Sequence, residues 1–291
     1  MIKLSNSIVS IEIAEPYTVY NGPRFDGTGI ITKIEFCNHS FCELEQRDPS
    51  KGSGGIGFCN EFGIDKPIDY NKTQIGDSFP KIGVGLVTKE TEKAYDFFAP
   101  AKVVTSTVIN EIINEESYEV TTLIKNNLSY DLTLTKTISL KNSNLIIDYH
   151  LVNKGIDVIK TNEYNHNFIG IDHDNIGQNY ELTIYNLLDI EKTVGEFEVE
   201  AFDSKHTIRW NKEPQGDFYA MTTKADKTNE SNWELVNLKH KVGVRECSNF
   251  KISKIALWGY NHVVCPEVFI DLEVKPNQSM TWSRIYEFFE V

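Results

Sequence analysis

The chain has 291 residues, of which 40 % are hydrophobic and 24 % charged, and its formal net charge is −13. That length and composition suit a folded chain with a sizeable core, whereas the acidic balance excludes a phosphate-backbone binder, which gathers Lys and Arg on one face, and disfavours anionic membranes. The five cysteines, Cys37, Cys42, Cys59, Cys247 and Cys265, are odd in number and lack CxxC spacing, so neither a disulfide framework nor a thiolate zinc site is expected.

The first ten residues contain no apolar core of a secretory signal, and no run reaches the roughly 18 apolar residues of a membrane helix, so a soluble cytoplasmic chain is expected. Apolar and polar residues alternate over 8–13 and again over 29–36, which predicts two strands separated by a Gly- and Pro-containing loop. A second strand pair is expected to end near Leu44. The stretch 48–82 is glycine-rich, with Pro49, Pro67 and Pro80, and reads as one long irregular loop; loops of that length inside a compact domain are usually functional.

The clearest pattern runs from Tyr130 to Leu140. Tyr130, Leu132, Leu134, Ile138 and Leu140 alternate with Asp131, Thr133, Thr135, Thr137 and Ser139, and only Lys136 breaks the apolar face. Asn142-Ser143-Asn144 then turns the chain into a strand over 145–152, and Asn153-Lys154-Gly155 supplies a second turn. Further strands are predicted over 180–187, 194–202, 207–210, 218–223, 252–258, 268–274 and 279–289, with a polar loop over 223–232. No segment has a helical period of comparable quality. Many strands at intervals of about ten residues predict an all-β chain, a large antiparallel β-sandwich forming a single domain over 1–291.

Two residues stand out chemically. His166 follows a short apolar run and sits among Asn162, Glu163, Tyr164, Asn165 and Asn167; polar neighbours of that density predict a histidine oriented by hydrogen bonds and kept near its ordinary pKa, where it exchanges protons at neutral pH. Glu267 interrupts an apolar run, Val263 to Cys265 before it and Val268 to Ile270 after it. It is either the outward member of an alternating strand or a half-buried base with a raised pKa. Trp258 offers a flat apolar face for a sugar ring. Arg24 and Lys81 are candidates to bind ligand hydroxyls or to balance the base. The other histidines are isolated in sequence, no pair has ligand spacing, and no metal site is expected. There is no GxSxG elbow, P-loop or GxGxxG after a strand.

The segments around these two residues resemble the aldose 1-epimerase (galactose mutarotase) superfamily. Leu145-Ile146-Ile147-Asp148, then Val152-Asn153-Lys154-Gly155, then Thr161 to Phe168 is similar to that family's centre. Val264-Cys265-Pro266-Glu267 followed by Lys275 to Trp282 is similar to its closing motif, and Gly54 to Gly63 resembles a glycine loop of the hexose-6-phosphate mutarotase branch. Ser53 stands where that branch has an arginine, and the family's second, N-terminal histidine has no clear match. The resemblance implies a galactose mutarotase-like supersandwich and a cofactor-independent isomerase. It would interconvert the α and β anomers of an aldohexose or related small-molecule sugar, with Glu267 as general base and His166 as general acid. The alternative on the same fold is a carbohydrate-binding protein without turnover.

Overall fold

The computed structural model describes every residue except 49, 127–129, 186–191, 203–204 and 223–230, and leaves the side chains of 111, 192 and 202 undescribed. Among the described residues strands are the regular element, joined by turns and loops and by one short 3-10 turn at Ile171–His173, and no helix is long and apolar enough to cross a membrane. Two ten-stranded, largely antiparallel sheets stack face to face, and a three-stranded sheet flanks them.

The first sheet runs, in spatial order, through Ile2–Ser5, Val9–Ile13, Ile31–Phe36, Phe58–Phe62, Ile159–Asn167, Val263–Val274, Lys254–Tyr260, Phe218–Thr222 and Lys192–Val194. The second centres on Gln278–Glu290 and Asn144–Asn153, followed by Asp131–Lys141, Ser117–Lys125 and Thr107–Asn114. Between them lies the main core, with Ile11, Ile34, Ile138, Leu151 and Tyr286 among its buried members. Tyr149 stacks on Trp282 at 4.8 Å.

The period-two pattern of Tyr130 to Leu140 sits as predicted, with alternate residues buried over Asp131–Lys141. Its one exception has a partner. Lys136 is buried and its Nζ lies 2.7 Å from Asp26 Oδ2, so a carboxylate from the 21–29 loop neutralises the only charge on that face. The Asn142 turn forms with Asn142 at a φ of 55°, a conformation asparagine tolerates.

Three expectations change. The stretch 48–82 is not one loop: it contains Phe58–Phe62, buried along its whole length, and Ser78–Lys81. Burial on both faces removes the alternation by which a strand is recognised. The strand expected over 194–202 is two, Lys192–Val194 in the first sheet and Glu198–Phe202 in the second, parted where Gly195 takes a φ of 91°. The strand around Glu267 starts earlier than 268, at Val263. The polar loop over 223–232 falls mostly outside the described residues.

Candidate active site

The first sheet has two working faces. Along Ile159–Asn167, Glu163 and Asn165 point into the sandwich core, where Asn165 Nδ2 donates to Tyr286 Oη at 2.8 Å. Asn167 Nδ2 donates to the Pro266 carbonyl at 2.7 Å. The alternate residues Tyr164 and His166 point the other way. Strand register sets what joins them there, because directly opposed residues share a face. Tyr164 opposes Phe269 and Glu61, His166 opposes Cys59, Glu267 opposes Ala256, and Trp258 opposes Tyr219.

That outer face floors a cavity of about 600 Å³ whose lining includes Arg24, Glu45, Asp65, Phe97, Tyr164, His166, Asp217, Lys254, Trp258 and Glu267. His166 Nε2 lies 3.1 Å from Glu267 Oε1, and both side chains are buried. The residues singled out from sequence, a hundred positions apart, therefore meet. Trp258 stands edge-on to His166 with ring centroids 5.7 Å apart.

His166 is not held in the way its neighbours in sequence suggested. The flanking amides face the core, and Nδ1 of His166 is buried without a hydrogen-bond partner. Aromatic packing fixes the ring instead: Phe168 stacks on it at 4.0 Å and Phe25 meets it edge-on at 5.8 Å. Gly55 makes room for Phe168, since a Cβ there would lie 2.2 Å from that ring. Burial, reinforced by the nearby Arg24 charge, lowers the His166 pKa well below the usual histidine range rather than leaving it unperturbed. Burial acts in the opposite direction on Glu267, pushing its carboxyl up to about 8. Of the two arrangements open for Glu267, the structure has the buried carboxyl with a raised pKa rather than the outward, solvated one.

Arg24 lines the cavity from the 21–29 loop. Its Nε donates to Glu61 Oε2 at 2.9 Å, its Nη1 donates to Ser53 Oγ at 2.7 Å, and its guanidinium lies 4.7 Å from the Phe97 ring centroid. A guanidinium thus reaches the position of Ser53 from elsewhere in the chain. Lys81 is not among the lining residues. It lies behind them, 3.6 Å from Glu61 Oε1 and donating to Tyr95 Oη at 2.6 Å; burial lowers its pKa to about 8. Sequence reasoning missed Glu61, Glu45 and Tyr164. Glu61 receives Arg24, Lys81 and the Tyr164 hydroxyl, and Glu45 takes the backbone N–H groups of Ser53 and Gly55. Within 54–63 only Glu61 is acidic, the one sequence signal that pointed to it.

The raised Glu267 pKa has a consequence for stability. The folded chain holds a proton that the unfolded chain releases near the ordinary carboxyl pKa, so stability falls as pH climbs from that range to about 8. Glu267→Gln removes this cost. In urea unfolding the variant is expected to be more stable than wild type at pH 9, by on the order of 3 kcal/mol, with the gain shrinking toward pH 5. A gain that does not depend on pH would show that Glu267 is solvated.

A β-sandwich whose one sheet carries a buried histidine–carboxyl pair in an aromatic-lined cavity belongs to a recognisable class of fold. No family model and no curated protein matches the sequence. Solved structures do match in shape. The chain is similar to a galactose mutarotase-like protein from Clostridium acetobutylicum, with a TM-score of 0.61 and 11 % identity over 99 % of this chain and 95 % of that one. It is similar to a galactose mutarotase related enzyme from Lactobacillus acidophilus, with a TM-score of 0.59 and 12 % identity over 99 % and 97 %. An aldose epimerase homologue from C. elegans gives a TM-score of 0.59 and 11 % identity over 100 % and 98 %. The fold is that of the galactose mutarotase-like proteins.

Proposed function

We propose that the chain is an aldose 1-epimerase-like isomerase that interconverts the anomers of an aldohexose or related sugar in this cavity. The observation that carries the reading is the 3.1 Å approach of His166 Nε2 to Glu267 Oε1 on the cavity floor. A cavity of about 600 Å³ lies within the range that small-ligand sites occupy, and Trp258 supplies an apolar face for a pyranose.

The chemistry needs one proton shared between two groups. Glu267 as carboxylate takes the proton of the C1 hydroxyl while His166 as imidazolium protonates the ring oxygen. The bond from C1 to the ring oxygen breaks and the sugar opens to the aldehyde. Rotation about the C1–C2 bond presents the other carbonyl face, and the two protons return along the same paths. Each side chain ends in its starting state, so the reaction consumes nothing. Burial by itself favours the uncharged arrangement of the same proton, on Glu267 beside a neutral imidazole. One transfer across the 3.1 Å contact gives the charged arrangement. A bound sugar favours it when its hydroxyls hydrogen-bond to both groups.

The test is polarimetry on freshly dissolved α-glucose and α-galactose. Relaxation that accelerates in proportion to protein concentration supports the assignment. Sugar binding in calorimetry without acceleration overturns it in favour of a carbohydrate-binding protein. A new product in the proton NMR spectrum overturns it in favour of another sugar isomerase or a lyase.

A further inference from the structure

Away from the cavity, three segments remote in sequence bring two imidazoles and a carboxylate together. His39 follows the Cys37-Asn38 turn, whose residues have φ of 50° and 66°; Asp172 lies in the 3-10 turn at a φ of 52°; His240 lies in the turn after Trp233–Asn237. His39 Nδ1 is 2.6 Å from Asp172 Oδ2, and His240 Nδ1 is 3.5 Å from the same oxygen. The ligating atoms of all three residues lie within 4.8 Å of one another.

Outer partners turn the inner donor atoms of this cluster toward one another. His240 Nε2 lies 2.9 Å from Asp174 Oδ2, a carboxylate that Lys239 also holds, and the other ring nitrogen, His240 Nδ1, faces Asp172. Two donor atoms about 2.0–2.1 Å from a tetrahedral ion stand roughly 3.3 Å apart; the His240–Asp172 pair, at 3.5 Å, has nearly that spacing, and the His39–Asp172 pair, at 2.6 Å, has to open by a fraction of an ångström to reach it. The supports that a metal site needs are also present: Asp174 fixes the His240 tautomer, and the Ser40 N–H binds Asp172 Oδ1 at 2.9 Å, leaving Oδ2 for the ion.

We infer that His39, Asp172 and His240 form a binding site for a divalent ion of the zinc class, tying together turns from both sheets. The donors are the Nδ1 atoms of the two histidines and Oδ2 of Asp172. The side chains are 25 %, 26 % and 21 % exposed, which leaves one side for a water ligand. Imidazole with carboxylate suits zinc, cobalt and nickel better than magnesium or calcium. On binding, the His39 hydrogen moves from Nδ1 to Nε2, so a neutral His39 releases no proton.

The full untagged chain, stripped with a chelator, is titrated with zinc by calorimetry and with Co²⁺ by visible absorption. One equivalent per chain is expected, with the intense ligand-field bands of four-coordinate cobalt and a higher melting temperature in zinc. Asp172→Asn and His240→Gln should each weaken binding at least tenfold, and Asp174→Asn by roughly 10–100-fold. His173→Gln and His166→Gln, which alter histidines outside the site, should leave it intact. Melting of each variant without metal separates loss of the site from loss of the fold, and His39→Gln replaces any variant that fails to fold. No saturable uptake at millimolar zinc, or uptake unchanged in the Asp172→Asn/His240→Gln pair, overturns the proposal and leaves a hydrogen-bonded cluster only.

Discussion

Glu267→Gln and His166→Asn should each slow mutarotation by roughly 10²–10⁴-fold while the chain remains folded. Glu267→Gln keeps the volume of its side chain, His166→Asn is smaller but polar, and each removes one proton-exchanging group. Because the two groups act as one unit on a single shared proton, the double variant should be little slower than either single one. The pH profile carries a second signature. Activity needs one proton on the pair. Above about pH 8 Glu267 loses it, nothing remains to protonate the ring oxygen, and the rate should fall. On the acid side a second proton must reach His166, whose pKa burial holds well below its usual range, so that limb should lie below the range in which a free histidine titrates. The pair titrates as a unit, and both limbs belong to it rather than to either residue. In Glu267→Gln the alkaline limb should vanish from the residual rate. Single variants with wild-type rates, or a profile whose alkaline limb persists in Glu267→Gln, would remove the assignment.

Parts of this site were readable without coordinates because their chemistry conflicts with their surroundings. Glu267 is a carboxylate inside an apolar run, and the strand it interrupts is buried on both faces. Such a conflict is costly unless the charge is used. His166 was visible through its unusual neighbours, although the inference drawn from them was wrong in mechanism. Of these neighbours, Glu163, Asn165 and Asn167 alternate away from the ring, and Glu163 and Asn165 tie the strand to Arg284 and Tyr286 of the second sheet. The Arg24–Glu61–Tyr164 network was unreadable for a different reason. The chain has 42 acidic residues, and beyond Glu61 being the sole acid within 54–63 nothing local says that it ends up buried against Arg24 and Tyr164. Phe58–Phe62 was hidden inside an apparent loop because a strand covered on both faces shows no period. The His39–Asp172–His240 cluster was out of reach of any spacing rule, its members being separated by 133 residues in one direction and by a whole sheet crossing in the other.

The largest stability effect is expected at Arg284, whose side chain is wholly buried between the two sheets. Its Nη2 lies 2.8 Å from Glu163 Oε2 in the first sheet, and its Nη1 lies 2.7 Å from Glu246 Oε1 in the second. Nη2 also donates to the Val268 carbonyl at 2.8 Å, one residue beyond Glu267. Asn60 and Trp233 complete the carboxylates' hydrogen bonds. Arg284→Met would leave two carboxylates facing each other without a cation in a dry interior, and breaking such a set costs about 3–5 kcal/mol. That is a large fraction of the 5–15 kcal/mol typical of a whole domain, and the urea midpoint should fall accordingly. Arg284→Lys keeps the charge but not the fork that grips both partners and should lose less. Adding Glu163→Gln and Glu246→Gln to Arg284→Met removes the stranded charges and should recover much of the loss, because the penalty resides in unpaired burial rather than in the absent attraction. Glu163 sits three residues from His166 on one strand, so Arg284→Lys should also lower the turnover rate if the cluster keeps that strand in register. An Arg284→Met chain within about 1 kcal/mol of wild type would mean that water reaches the cluster and that the sheets are held together by their apolar faces alone.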